Sequence, residues 1–311
     1  MDNLFSKQNC FQNLYKFFAD KFGCQKQFLL PLNVKHIPFA TRIPLSTMLN
    51  RKKIYNLDFI NENDFEKVVN EIMEFDYFKD YYNTRLPLLI TPNVDDVVKF
   101  SKPENKFIAD NMTKASFILP DGQFIVWSSW LLQNPLKRRL PGSDLFPALW
   151  EKIKSTDKKI LLIAPDERVG NLLSQEYAHL HFYVPPFFDE NNKAALDEVI
   201  ENCIQQINSI QPDMVLIGIR FPKQHFIALS AIEHLQTRLT EDEEKIKMPL
   251  FLLLGASFEF YLGIKKRAPK FVRFLGMEWF HRFVQEPRRL FRRFFIEDMA
   301  FFGIFWKEIF K

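Results

Sequence analysis

Asp121 is the sharpest candidate for a reactive group in this sequence. It follows the apolar run Ser116–Leu119 and precedes Gly122 and a helical pattern. A carboxylate in that place can take a proton from a substrate hydroxyl. It can equally cap the helix that begins near Gln123, and local position leaves both roles open. Thr91 and Asn93 stand in the same way after Leu86–Ile90. They suit sugar binding, the positioning of a nucleophile, or a turn and helix cap with Asp95 in the first turn. Gly142-Ser143-Asp144 opens a third helical pattern. Ser143 or Asp144 can cap it, and the N–H groups exposed at such a start can hold the phosphates of a nucleotide diphosphate.

A second source of chemistry is the C-terminal stretch. Residues 265–293 carry Lys265, Lys266, Arg267, Lys270, Arg273, Arg282, Arg288, Arg289, Arg292 and Arg293 against only Glu278 and Glu286. Winding 288–295 at about 100° per residue places its four arginines on one arc and Leu290, Phe291, Phe294 and Phe295 on the other. Such a helix suits a boundary that is apolar on one side and anionic on the other, such as a phosphate-bearing membrane surface. Arginine fits phosphate because its planar fork presents several donors at once.

Other chemistries find little support. His181, His225 and His234 are scattered, and Cys10, Cys24 and Cys203 form no CxxC pair, so no metal site or disulfide framework is expected. Neither a GxGxxG nor a GxxxxGK[ST] pattern occurs, and no nucleophile elbow. No cofactor is expected. The net charge of +4 is mild and concentrated at one end, which argues against a protein that coats nucleic acid. Residues 3–26 contain no apolar secretory region. Met248–Ile264 carries Glu259 and is too short to span a bilayer, so it reads as a buried strand and the turn after it. If the protein meets a membrane, it lies on it.

The elements that must position these residues are short apolar runs alternating with helical periodicities. Strands are expected at Leu86–Ile90, Ser116–Leu119, Lys159–Ala164, His181–Val184, Met214–Ile219 and Leu250–Leu254. Helices are expected over 64–75, 94–101, 104–114, 123–132, 144–155, 192–209 and 223–239. This alternation predicts an α/β fold, a Rossmann-like, mostly parallel sheet with helices on both faces, whose chemistry sits beyond the carboxyl ends of the strands. The chain divides into three regions: an N-terminal extension over 1–50 with a short helix at 8–22, the α/β body over 51–264, and a basic, aromatic, amphipathic helical tail over 265–311. Eleven of the 35 phenylalanines fall in residues 271–311, beside six arginines.

Taken in order, these residues resemble the bacterial WecG/TagA/CpsF family, glycosyltransferase family twenty-six. The matching pieces begin with Thr91-Pro92-Asn93-Val94-Asp95, Asp121-Gly122, Gly142-Ser143-Asp144-Leu145-Phe146 and Pro185-Pro186-Phe187. They continue through Pro222-Lys223-Gln224, Gly255-Ala256-Ser257-Phe258 and Arg267-Ala268-Pro269 to Gly276-Met277-Glu278-Trp279 and Glu286-Pro287-Arg288-Arg289-Leu290. The resemblance implies an inverting, metal-independent transfer of a sugar, of N-acetylmannosamine type, from a UDP-sugar donor to a polyprenyl-diphosphate-linked acceptor in surface polysaccharide synthesis. UDP-glucuronate, UDP-glucose and UDP-galactose are alternative donors, and a scaffold that binds lipid-linked glycan without catalysis is the alternative class. It also implies that Asp121 is the general base, that Thr91 and Asn93 line the active site, and that Arg282, Arg289 and Arg292 engage a diphosphate. Gln224, Ser143 and Asp144 join them as substrate-binding positions. The implied location is the cytoplasmic, inner face of the plasma membrane, and a homo-oligomer is compatible with it. Four positions depart from the family pattern: His225 in place of Glu, Glu259 in place of Asp, Pro141 in place of Thr, and Ala164-Pro165 in place of a glycine-rich turn.

Overall fold

The structure is a computed structural model that describes residues 49–79, 84–189, 192–241, 247–274 and 276–310, except the side chains at 240, 241, 270, 274, 282 and 289. The helix expected at 8–22 lies outside the described residues.

A six-stranded sheet forms the body. Its strands are β3 (Leu86–Ile90), β4 (Ala115–Ile118), β5 (Ile160–Ile163), β6 (Leu180–Tyr183), β7 (Met214–Ile217) and β8 (Leu250–Leu253). They run in the order β4-β3-β8-β7-β5-β6, and every neighbouring pair is parallel. Parallel strands need crossovers, and helices placed on both faces bury them. The strands are accordingly continuous apolar runs; in β5, Leu161 and Ile163 enter one core while Ile160 and Leu162 enter the other.

One face is covered by α2 (Val94–Ser101), α3 (Lys106–Met112), α7 (Lys193–Ile210) and α8 (Lys223–Glu241), which bring Val97, Ile108, Leu196 and Ile227 to it. The other carries α1 (Phe65–Met73), α5 (Gly142–Lys154) and α6 (Glu167–Glu176), with Val68, Leu145 and Val169. A short helix, α4 (Gln123–Leu131), follows β4. The fold class read from the sequence is the one found.

Two elements escaped the sequence reading. A hairpin, β1 (Arg51–Ile54) and β2 (Leu57–Ile60), turns through Tyr55 and Asn56, both at positive φ, as a two-residue hairpin turn with right-handed twist requires. It covers the sheet edge at β4, where Arg51 donates to the Ser116 carbonyl at 2.6 Å and Arg85 pairs with Asp58 at 2.6 Å. Helix α6 is the other; Asp166 caps it by accepting from the Val169 N–H.

A short helix, α9 (Ser257–Tyr261), ends the body with Phe258 in its core, and the tail consists of α10 (Lys270–Phe274), α11 (Glu278–Gln285), α12 (Pro287–Arg292), a π-helical turn over Arg293–Glu297, and α13 (Ala300–Ile309). The regular helix expected over 288–295 is corrected here. The α-helix ends at Arg292, and the wider π turn rotates the side chains after it away from the 100° series. Arg292 is 79% exposed and pairs with Glu297, while Arg293, about 100° further round, turns inward to Asp95. The apolar arc divides as well: Leu290 is buried, and Phe291 and Phe295 are exposed.

Phe301 anchors the end of the tail in the core, its ring 5.2 Å from Tyr55. Phe301→Ala is expected to cost about 3–5 kcal/mol of docking. Trypsin cleavage at the exposed Arg288 and Arg292 should then accelerate by roughly a hundredfold while the sheet body stays resistant. Unchanged digestion would show that the tail is held elsewhere.

Candidate active site

A cavity of about 720 Å³ opens beyond the carboxyl ends of β3, β4, β7 and β8 and is closed from the other side by the tail. Thr91, Asn93, Asp121, Ser143 and Gln224 all line it. Residues more than a hundred positions apart meet there because the parallel strands deliver every following loop to the same rim.

Asp121 is fixed by its own backbone, whose N–H donates to the Pro92 carbonyl at 3.1 Å, and Leu119 likewise bonds Ile90. The N-cap of α4 is Gly122, not Asp121. Asn93, by contrast, does cap a helix. Its side chain accepts from the Asp95 N–H at 2.8 Å, and Asp96 returns the bond by accepting from the Asn93 N–H at 3.0 Å. Its carbonyl oxygen is thereby committed to structure.

Ser143 stands in the first turn of α5, whose N-cap position is Pro141 with no side-chain cap. Gly142 opens that turn at close quarters: a Cβ there would come 3.0 Å from Ser257 Oγ and 3.4 Å from Thr91 Oγ1. Two hydroxyls and a helix start thus converge.

Asp144 does not line the cavity. It accepts from Arg267 Nη1 at 2.7 Å and from Arg273 Nη1 at 3.2 Å, so it holds the tail. Glu278 extends this cluster, buried between Arg139 at 3.1 Å and Arg267 at 3.6 Å. Gly276 tightens the same seam. It has φ +72°, and a Cβ would lie 2.5 Å from the Cγ of Gln123, the first residue of α4. The tail therefore crosses directly over the segment that carries Asp121.

Among the tail arginines, Arg293 faces the cavity and Arg292 does not; the side chains of Arg282 and Arg289 lie outside the described residues. Residues that the sequence reading missed also converge there. Arg293 is one, paired with Asp95 at 3.1 Å; Lys99 is another, bound to the same carboxylate at 2.7 Å. Arg220, Lys265 and Lys266 complete the cationic lining.

Sequence comparison adds a decisive observation. The model of the glycosyl transferase WecG/TagA/CpsF family matches residues 54–311. The chain belongs to that family. Its curated relatives include the N-acetylglucosaminyldiphosphoundecaprenol N-acetyl-beta-D-mannosaminyltransferases of Staphylococcus aureus strains MRSA252 and MW2. Each is 26% identical over 241 residues, covering 76% of this chain and 85% of the relative.

Within this glycosyltransferase the cavity has an uncommon charge balance. His225 is almost fully buried, between the rings of Phe221 at 4.9 Å and Phe100 at 6.0 Å. Burial, helped by the Lys99 charge, holds it down to about 3, so it is neutral, and its Nδ1 has no hydrogen-bond partner. Gln224 Oε1 beside it is likewise buried and unpartnered. Asp96 moves the other way, to about 6, chiefly through burial and secondarily through Asp95.

The two shifts act on stability with opposite signs. Between its ordinary 3.8 and about 6, folded Asp96 keeps a proton that the unfolded chain has lost, so its contribution falls as pH rises. Between about 3 and 6.5 the unfolded His225 binds a proton that the folded one refuses, so its contribution falls as pH drops. Replacing Asp96 by Asn isolates the first effect. The parent's unfolding free energy, measured relative to Asp96→Asn by urea titration, should decline on the order of 2 kcal/mol from pH 4 to pH 6. A difference that stays level across that range contradicts the assignment.

Proposed function

We propose that this glycosyltransferase transfers N-acetylmannosamine from UDP to the N-acetylglucosamine of an undecaprenyl-diphosphate-linked acceptor, the reaction named for its Staphylococcus aureus relatives. The observation that carries the reading is that Asp121 shares one cavity with the cations of the tail.

In this mechanism the Asp121 carboxylate takes the proton of the acceptor hydroxyl as its oxygen attacks the anomeric carbon. One bond forms to that carbon while the bond to the UDP oxygen breaks, and UDP leaves with the electron pair. A single displacement inverts the anomeric configuration. Charge building on the departing diphosphate has to be neutralised in place. Lys266, which lines the cavity without a carboxylate partner among the described residues, supports that role. So do the first-turn N–H groups at Gly142 and Ser143. Arg282 and Arg289 are assigned to the acceptor diphosphate on the family resemblance, and Arg292, directed outward, to the headgroup layer. Thr91 and the amide N–H of Asn93 remain for sugar hydroxyls.

The acceptor's lipid puts the protein at a bilayer, and we place it on the inner face of the plasma membrane, held by the tail. Among the described residues, no helix is long and apolar enough to cross a membrane. The outward side of α13 supports lying on it: Phe302, Trp306 and Phe310 are exposed opposite the anchored Phe301.

Asp121→Asn should lower UDP release with a short-chain lipid-diphosphate acceptor by about 10²–10⁴-fold without shifting thermal unfolding. Full turnover would remove Asp121 from the mechanism. In the parent, UDP-N-acetylmannosamine should outperform UDP-glucuronate, UDP-glucose and UDP-galactose. Preference for one of those keeps the reaction class and overturns the donor; no release with any of them overturns both. Trimming the chain after residue 265 should abolish activity and vesicle binding together, and a trimmed protein that still binds vesicles overturns the role given to the tail.

A further inference from the structure

Helix α4, which begins one residue after Gly122, buries Ile125, Val126 and Ser129 against the body, yet its opposite side is also apolar. Phe124, Trp127 and Leu131, spaced by three and four, lie along one stripe, and Trp130 borders it. All four are exposed, Trp130 to 60% and Leu131 to 71%. The Trp130 indole N–H already donates to the Leu136 carbonyl at 3.0 Å, so what it offers outward is carbon. A helix apolar on both sides calls for two apolar neighbours, and the body supplies only one.

The stripe is continuous with the tail at both of its ends. Phe124 lies 5.6 Å from Trp279 on α11, and Trp279 in turn contacts Phe280 and Phe294. At the other end Leu131 shares a depression of about 340 Å³ with Ile309 of α13, rimmed by Lys53. Beyond lie the exposed rings of Phe302, Trp306 and Phe310. Lys53 rims that depression, and the tail helices α12 and α13 also expose Arg288, Arg292 and Lys307. Amphipathic tryptophans among cations, at the edge of an apolar field, match the boundary between acyl chains and anionic headgroups.

We propose that α4 seats its Phe124, Trp127, Trp130 and Leu131 stripe at the headgroup–acyl boundary of an anionic phospholipid bilayer, so that the catalytic body itself, and not the tail alone, contacts lipid. The inference rests on the lipid-linked acceptor proposed above and deepens it. Because α4 starts beside Asp121, seating it fixes the height of the carboxylate above the bilayer and points the cavity towards a lipid-borne diphosphate. The tail and α4 then act as one surface.

The test uses the full chain with vesicles of phosphatidylglycerol and phosphatidylethanolamine. Trp127→Glu and Leu131→Glu alter exposed positions outside the cavity, so thermal unfolding and UDP release with a water-soluble acceptor should match the parent. Vesicle co-sedimentation should weaken at least about tenfold for each. As a second measurement, a fluorophore attached at Leu131→Cys, with Cys10 and Cys24 replaced by Ser, should shift to the blue on adding vesicles. Parent-like sedimentation of both Glu variants, or an unshifted label, overturns the proposal. So does a parent dimer in solution that Trp127→Glu dissociates, because the stripe would then cover a second copy. Loss of vesicle binding on trimming the tail, with none in the Glu variants, removes α4 while leaving the tail's role intact. Loss in the Glu variants with no sugar transfer by the parent keeps the lipid surface and removes the reaction.

Discussion

Two carboxylates on the body, Asp95 and Asp144, pair with arginines of the tail that closes the cavity over the sheet rim. Asp95 pairs with Arg293 from the π turn; Asp144 pairs with Arg267 and Arg273. The two contacts grip the tail at widely separated points of its sequence. Their role is placement more than stability. Half-exposed ion pairs contribute about 0.2–1 kcal/mol, whereas burying a side chain such as Leu290 or Phe301 contributes about 1.5–3 kcal/mol. Apolar contact makes the tail adhere, and the charge pairs decide where.

This arrangement also settles which cations are left for a substrate. Lys99 and Arg293 are committed to Asp95, Lys265 to Glu259 at 2.6 Å, and Arg267 and Arg273 to Asp144. A strongly anionic donor and acceptor entering the cavity would have to compete for those groups or use Arg220, Lys266 and the helix start at Gly142. Asp96, pushed up to about 6 mainly by burial, loses part of its negative charge only as the medium turns acidic. His225 adds no positive charge, because it stays neutral. What it offers is an unpartnered ring nitrogen beside Gln224, a contact suited to a neutral hydrogen-bonding group. On the side near α8 the cavity thus sets this neutral pair, Gln224 and His225, beside the charged Arg220.

The body was legible in the sequence because its signals are local. Strands of four or five apolar residues bounded by helix periodicity give the same answer wherever they are read, and they set Asp121, Thr91 and Asn93 on one rim before any contact is known. The ambiguity at Asp121 was of another kind. Capping and catalysis call for the same residue in the same place; the backbone, with Gly122 at the cap position, removes the capping role, and the catalytic role is the one proposed above. Asn93 resolves in the opposite direction, as a cap. The tail was legible in composition and not in direction. One arc was read for Arg292 and Arg293, whereas Arg293, about 100° round from Arg292, answers a carboxylate about two hundred residues earlier in the chain. Asp144 misled for the same reason. At a helix start it reads as a phosphate contact or a cap, while its partners are arginines supplied from far downstream. The β1–β2 hairpin was missed because Tyr55-Asn56 lacks the glycine that usually marks such a turn.

The outer surface of the tail gives the clamp a further consequence. Beyond residue 265, the described apolar side chains that reach full burial are few, Ala268, Leu290 and Phe301, whereas Phe271, Phe280, Phe291, Phe295, Phe302, Trp306 and Phe310 face outward. A segment held by so few buried contacts opens at a lower free energy than the sheet body. Any medium that covers the outward rings favours whichever state presents them as one surface, and only the docked tail aligns them with the stripe on α4. On the lipid reading, the bilayer would therefore stabilise the same conformation that closes the cavity over Asp121. Association with the membrane and assembly of the active site become a single linked equilibrium, in which a carboxylate ready to activate a hydroxyl is enclosed where the lipid-borne acceptor is present.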